Sequence, residues 1–170
     1  PPWSGGFTWT KSQDGYPWVG VSCQANGSYL WYPSKEHPSD EPEGADIHIT
    51  VTKPLSVASN GVLQKVTDLK NKWHTWHWKT NYNINPYNIN FTVGNFEIVE
   101  RIIPSLEKPL KTQFFVLGEN REGADKLLDH AEIYIDFFTR SFGQYPWLKE
   151  TLGIVNTPYL GMEHQTIIAY

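Results

Sequence analysis

Alternating apolar and polar residues predict β-strands over roughly the first hundred positions of the chain. The clearest case is residues 46–52, where Ile47, Ile49 and Val51 fall on one face of an extended segment and the polar residues between them fall on the other. Apolar runs bounded by turn residues predict further strands at 16–25, 55–59, 62–69, 72–84 and 87–94. Asn60 and Gly61 predict a tight turn between two of these strands.

After Pro104 the pattern changes to a strand at 110–117 followed by apolar residues at helical spacing. The helical positions are Ala124, Leu127, Leu128, Ala131, Tyr134, Ile135, Phe138 and Phe142. Asn120 is a candidate cap for the start of this helix, and Gly143 can end it in the left-handed conformation.

Two further strands, at 152–157 and 164–170, complete the pattern. The predicted fold class is therefore α+β, with an all-β domain at 1–103 and a mixed domain at 104–170. The second part, with one long helix and three strands, is short for a complete domain of its kind.

Composition excludes several classes of protein. Hydrophobic residues make up 39% and aromatic residues 15% of the chain, which is typical of a folded protein and not of a disordered one. The formal charge is −4 and no block of Lys or Arg is present, so a nucleic-acid partner is not expected. Since no apolar run reaches the ~18–20 residues that cross a bilayer, no transmembrane segment is predicted. The single cysteine, Cys23, excludes an internal disulfide and a cysteine-built zinc site.

The tryptophan- and histidine-rich strand at 72–84 raises two further possibilities. His74 and His77 are three positions apart, an odd spacing that places them on opposite faces of a strand, and no third histidine or cysteine is expected nearby to complete a metal site. The chain also contains no H-E-x-x-H motif, so no metal site is expected within it. Trp73, Trp76 and Trp78 favour cross-strand packing over a sugar-binding platform.

Glu163 lies at the head of the last predicted strand, and its local sequence permits two interpretations. The carboxylate could bind a cation such as a free α-amine, with Gly161 allowing a ligand backbone to approach closely. Alternatively, Glu163 is a solvated residue at the start of a strand, because one carboxylate is weak evidence for a site.

Four stretches, in this order along the chain, resemble one family. They are "SCQA" at 22–25, "YLWYPSKEHPSDEPEGADIHITV" at 29–51, "FFTRSFGQYPW" at 137–147 and "PYLGMEHQTIIAY" at 158–170. The last resembles a G-x-M-E-N exopeptidase signature. Together they are similar to the zinc aminopeptidases that include aminopeptidase N and leukotriene A hydrolase, the gluzincin exopeptidases.

The resemblance implies a particular architecture and activity. The chain would be the C-terminal part of a saddle-like β-domain followed by the first strands and helix of a thermolysin-like catalytic domain. It would stop before the zinc-binding helix, so that the zinc ligands are expected beyond Tyr170 and none is bound by this chain. The intact protein would be a zinc-dependent aminopeptidase that acts on peptides with a free N-terminal amine, and the 170-residue chain alone would be inactive.

The resemblance also assigns substrate-binding residues. Glu163 matches the glutamate that pairs with the substrate's α-amine, and Gly161 and Met162 match positions that flank the substrate backbone. Gln24 matches a glutamine that reaches toward the substrate's first residue. His164 stands where the common form of the motif has Asn, which changes how Glu163 is held.

Two alternatives from other classes remain open. The tryptophan-rich strands would suit a non-catalytic carbohydrate-binding module, which requires exposed, coplanar tryptophans on one sheet face. A protein-interaction module that pairs through the strand at 164–170 is the other, and it requires a concentration-dependent oligomer.

Overall fold

A computed structural model describes residues 5–23 and 27–170 of the protein. These residues form eleven strands and one α-helix, which confirms the α+β class. The elements are β1 Gly6–Lys11, β2 Pro17–Ser22, β3 Asp46–Thr52, β4 Ser56–Ser59, β5 Val62–Asp68, β6 Trp73–Lys79, β7 Phe91–Gly94, β8 Phe96–Ile103, β9 Leu110–Leu117, α1 Ala124–Phe142, β10 Leu152–Val155 and β11 Ile167–Ala169.

Two antiparallel sheets form the β-rich part of the molecule and pack against each other. One has the strand order β1-β2-β7-β4 and the other the order β3-β6-β5. Trp78 of β6 is 1% exposed, and its indole Nε1 donates a hydrogen bond of 3.1 Å to the Val57 carbonyl of β4. The shared core that surrounds this contact includes Val21 and Trp76. Burial of these side chains is the main force that joins the two sheets.

Side chains alternate across β3 and β6 as the sequence predicts. Ile47 and Val51 are buried, whereas the polar residues between them face outward. In β6 the inward positions are His74, Trp76 and Trp78, all of them 8% exposed or less. Burial of Trp76 and Trp78 confirms core packing for these two residues, whereas Trp73, the first residue of β6, is 45% exposed. With one exposed tryptophan, β6 does not form the row of exposed, coplanar rings that a carbohydrate platform requires.

The third sheet has the order β11-β10-β9-β8, with β8 antiparallel to β9 and the other neighbours parallel. The helix α1 covers it through Ala124 and Leu128, which pack against Phe114 and Val116 of β9. The strand β8 was not predicted, because charged residues interrupt its apolar pattern, yet it pairs with β9 along its whole length. The sheet therefore continues across the predicted boundary at residue 103, and the position of that boundary stays a prediction.

Three local features differ from the sequence-based expectation. The strand β1 was not predicted, because it follows a glycine-rich start. Asn120 does not cap α1, since a 3-10 turn over Gly118–Gly123 precedes the helix and the Asn120 side chain donates to Asn156 Oδ1 at 3.2 Å instead. Gly143 does end the helix with a positive φ of 98°, although its ψ of −174° lies outside the left-handed helical region.

Within the described ranges, the structure contains no helix with the length and apolar content needed to traverse a bilayer.

Candidate functional site

A small cavity of about 290 Å³ brings Glu163 together with two distant segments of the chain. Its walls come from residues 28–38 and from residues 85–87, with Glu163 on the remaining side. None of the described residues that line it is Lys or Arg, whereas two are glutamates, Glu36 and Glu163. The cavity therefore presents negative charge and favours a cationic occupant.

Glu163 is exposed and is contacted by one phenol. The Tyr87 hydroxyl donates a hydrogen bond of 3.3 Å to Glu163 Oε1. Tyr87 lies in a 3-10 turn over Pro86–Asn88, and this turn is capped by Asn85, whose side-chain oxygen accepts from the Tyr87 amide at 3.1 Å. Burial, together with the negative charge of Glu163, raises the pKa of Tyr87, so the phenol keeps its proton and remains a donor at neutral pH.

Glu36 is the second carboxylate of the cavity and was not singled out from the sequence. Its oxygens accept hydrogen bonds from the Gly27 amide at 2.8 Å, from the Tyr29 amide at 3.0 Å and from the Ser28 hydroxyl. Partial burial opposes ionisation, but these hydrogen bonds outweigh it and lower the pKa of Glu36. Its φ of 57° is uncommon for a residue other than glycine, Asn or Asp, and such conformations concentrate at functional sites.

The segment before Glu163 is fixed by backbone pairing with the end of β11. The Met162 amide donates to the Ala169 carbonyl at 3.3 Å, and the Ala169 amide donates back to the Met162 carbonyl at 2.9 Å. At Gly161 a β-carbon would lie 3.0 Å from the Ala169 carbonyl oxygen, which explains why a residue without a side chain fits there. Met162 is buried, so its side chain anchors the segment in the core.

His164 is buried directly after Glu163. It is 2% exposed, and among the described residues neither of its ring nitrogens has a hydrogen-bond partner. Burial lowers the pKa of His164 to about 4, against the opposing effect of the Glu163 charge. The imidazole is therefore neutral at pH 7, and it leaves the charge of Glu163 available to a ligand.

Asn60, interpreted from the sequence only as a turn residue, joins the walls of the cavity. Its side chain is fully buried, donates to the Asn88 carbonyl at 3.0 Å and to the Gln165 carbonyl at 2.6 Å, and accepts from the Asn90 amide at 2.9 Å. A further bond of 2.8 Å runs from the Gln165 amide to Asn88 Oδ1. These bonds fix the turn that carries Tyr87 relative to the segment that carries Glu163.

Gln24 lies outside the described residues, so its assignment to the site stays a prediction. Of the five predicted site residues, Gly161, Met162, Glu163 and His164 form one continuous segment, and of these four Glu163 is the one that lines the cavity. Tertiary contacts add three residues that the sequence interpretation did not include. They are Glu36, Tyr87 and Asn60.

A larger groove of about 790 Å³ runs along α1 and the edge of the third sheet. Its described walls are mainly apolar, with Phe138, Phe142 and Tyr170 among them, and they include no carboxylate. The described walls of this groove therefore offer no carboxylate that could pair with an ammonium ion.

A second group of polar side chains lies on the outward face of β3 and β6. Asp46, His48 and His77 each place one ligand-type atom within 4.8 Å of the others. The expectation that no third ligand lies near His77 is therefore wrong, since pairing of β3 with β6 brings His48 beside it. The expectation that His74 and His77 face opposite sides is confirmed, because His74 is buried and its Nε2 lies 2.7 Å from the Leu55 carbonyl oxygen.

No protein-family model and no curated protein sequence matches the chain. Solved structures do match, and two of them are of a glutamate-to-alanine mutant of a two-domain M1 zinc metallopeptidase, one bound to L-arginine and the other to the amino acid L-tryptophan. Each has a TM-score of 0.74 over 94% of this chain, at identities of 16% and 17%. This chain has the fold of part of an M1 zinc metallopeptidase. It spans 36% of the length of either matched chain.

The M1 fold confirms, at the level of architecture, the resemblance identified from the four sequence stretches. The cavity does not fit the zinc ion that this fold family implies. Its potential donors are Glu36, His37 and Glu163, but their ligand atoms do not all lie within 4.8 Å of one another. Within the described part of the chain, the one group of three that meets this distance lies elsewhere, at Asp46, His48 and His77.

Proposed function

We propose that this chain is part of a zinc metallo-aminopeptidase, and that its cavity binds the free α-amine of the first residue of a peptide. The observation that carries the proposal is the placement of Glu163 and Glu36 around one small cavity whose described walls hold no Lys or Arg. An ammonium group entering the cavity gains charge-assisted hydrogen bonds, which are stronger than neutral ones.

The two carboxylates have different parts in this proposal. Glu36 is held by three protein donors and supplies a fixed negative charge. Glu163 is exposed and has one long bond, from Tyr87, so its second oxygen and much of its hydrogen-bonding capacity remain for a ligand. Glu163 is therefore assigned the direct contact with the amine.

The fold supports the same proposal. The matched metallopeptidase was solved with L-arginine and with L-tryptophan bound, and both are free amino acids with an α-amine. For this chain we propose the corresponding ligand, a peptide with a free N-terminus. An internal peptide bond offers no ammonium to Glu163, and this would limit the enzyme to removal of one residue at a time.

The remaining assignments complete the proposed site. Gly161 and Met162 would flank the substrate backbone, Gln24 would contact its first residue, and His164 would support Glu163 from the core as a neutral group. The β-rich part would belong to a saddle-like domain and the part around α1 to a thermolysin-like catalytic domain. Zinc and its ligands would come from residues outside this sequence, so that the chain alone binds an amine without cleaving a peptide.

Binding of two matched probes tests the amine assignment. Leucine amide and N-acetyl-leucine amide differ in the free amine, and their dissociation constants can be measured on the 170-residue chain by NMR titration. We expect leucine amide to bind and the acetylated probe not to bind. Glu163→Gln should weaken leucine amide binding by about 10- to 100-fold, because hydrogen bonds to charged groups contribute about 1.5–3 kcal/mol.

Glu107→Gln is the matched control, since Glu107 is an exposed glutamate that does not line the cavity. It should leave the affinity for leucine amide unchanged. Equal binding of the two probes, or equal binding by the Glu163→Gln and wild-type chains, would refute the amine assignment. Zinc-dependent release of leucine by the pure chain would refute the expectation that it is inactive alone.

A further inference from the structure

The outward face of β3 and β6 carries a cluster of one carboxylate and two imidazoles that the amine-binding proposal does not use. His77 Nε2 lies 2.6 Å from Asp46 Oδ1, and the rings of His48 and His77 stack with centroids 4.0 Å apart and an interplanar angle of 16°. We propose that Asp46, His48 and His77 form a binding site for one divalent transition-metal ion. None of the three lines the Glu163 cavity, so this inference does not depend on the proposed function.

Strand pairing accounts for the convergence of the three side chains. His48 and His77 are direct partners in the antiparallel register of β3 and β6, which places them on the same face at short range. Asp46 is two residues before His48 and therefore shares that face. Because β6 is the central strand of its sheet, paired with β3 on one side and β5 on the other, the backbone beneath His77 is held in place.

The donor set determines which ions the cluster suits. Imidazole nitrogens favour Zn²⁺, Ni²⁺ and Cu²⁺, whereas Ca²⁺ and Mg²⁺ require more oxygen ligands. Ligand bonds of about 2.0–2.2 Å are typical of zinc, so donor atoms that already lie within 4.8 Å of one another need only small side-chain rotations to share one ion. Asp46 and His48 are exposed, which leaves room for water at the remaining coordination positions.

Two lysines near the cluster limit its affinity and provide a test. Lys79 Nζ lies 3.6 Å from Asp46 Oδ2, and Lys65 of β5 is the register partner of His77 on the other side. Each positive charge disfavours a nearby dication. Removal of the Lys79 charge should therefore tighten metal binding, which a structural role of the His77–Asp46 pair alone would not produce.

Calorimetric titration of the 170-residue chain with zinc chloride, and separately with copper(II) chloride, tests the site. We expect one ion per chain, with copper bound more tightly than zinc, as the general order of divalent affinities requires. His48→Ala should weaken binding by about tenfold or more, since even the outer partners of metal ligands contribute that much. Because His48 is exposed, this variant should fold as the wild type does, and circular dichroism checks that it does.

His130→Ala is the matched control, because His130 is an exposed histidine on α1 outside the cluster. It should retain the wild-type affinity, and Lys79→Gln should exceed it. A second measurement uses thermal unfolding, in which zinc should raise the midpoint of the wild-type and His130→Ala chains but not that of His48→Ala. Binding that is absent, unaffected by His48→Ala or lost equally in His130→Ala would overturn the proposal.

Discussion

The Glu163 cavity and the outer face of β3 and β6 each bring a carboxylate near an imidazole, but they do so by different means. Glu163 and His164 are adjacent in sequence, yet one is exposed at a cavity and the other is buried. Asp46 and His77 are far apart in sequence, yet antiparallel pairing sets their side chains 2.6 Å apart in solvent. Neighbours along a chain can thus face different environments, whereas partners across paired strands are brought together.

The two regions also differ in what holds them. The cavity depends on buried polar bonds through Asn60, and its imidazole is kept neutral by burial. The side chains of the outer cluster lie on the solvent-exposed face of β3 and β6, and they can rearrange at little cost in free energy. Changes at the cavity should therefore alter the stability of the protein strongly, and changes at the outer face should not.

Asn60→Ala should have the largest effect. The change removes three hydrogen bonds and leaves the Gln165 carbonyl and the Asn90 amide without this partner, although the Asn88 carbonyl still accepts from Asn90 Nδ2 at 2.8 Å. We expect the free energy of unfolding to fall by about 4 kcal/mol. Urea unfolding followed by circular dichroism measures it. Thr50→Ala, which removes an exposed hydroxyl pair with Thr75 on the outer face, should change it by about 0.5 kcal/mol or less. Similar losses in the two variants would contradict the contrast between the regions.

The free energy of unfolding should depend on pH because the imidazole of His164 is buried. The pKa of His164 is about 4 in the folded chain against an ordinary 6.5, so the unfolded chain takes up a proton first as the pH falls. The contribution of His164 to the free energy of unfolding is therefore fully present above pH 6.5. It decreases as the pH falls toward 4, by about 3 kcal/mol in total. Urea unfolding at several pH values measures this slope. It should be flatter in His164→Asn and unchanged in the control His130→Asn, and a parallel slope in all three chains would disprove it.

Tyr87→Phe should have the smallest effect of the three. Loss of the 3.3 Å bond to Glu163 removes one orienting contact but keeps the carboxylate charge, so leucine amide should bind about two- to fivefold more weakly. The NMR titration described above measures the affinity. Tyr134→Phe, on the exposed side of α1, is the matched control and should bind as the wild type does. Unchanged or tighter binding by Tyr87→Phe would show that the phenol does not orient Glu163.

Periodicity predicted much of the fold because burial follows it directly. Alternation in β3 placed Ile47 and Val51 in the core correctly, and helical spacing identified α1. The strand β8 was not predicted, since charged residues interrupt its apolar pattern and its formation depends on pairing with β9. The start of α1 was also wrong, because a 3-10 turn replaced the cap expected at Asn120.

The candidate site divides in the same way. The segment from Gly161 to His164 is continuous, so a motif in the sequence was enough to find it. Glu36 and Tyr87 reach the cavity only through the packing of distant segments, which a local sequence pattern does not predict. His48 and His77 required the register between β3 and β6, and the sequence alone does not specify that register.

The bond from Asn60 to Gln165 joins residues 105 positions apart, and this distance has a consequence for how the protein is made. At a synthesis rate of about 5–20 residues per second, Asn60 is synthesised roughly 5 to 20 seconds before its partner. During that interval the Asn60 amide and the turn that carries Tyr87 have only water and one another to bond. The Glu163 cavity therefore cannot close until Glu163 has been synthesised, after all the residues of β1 to β9.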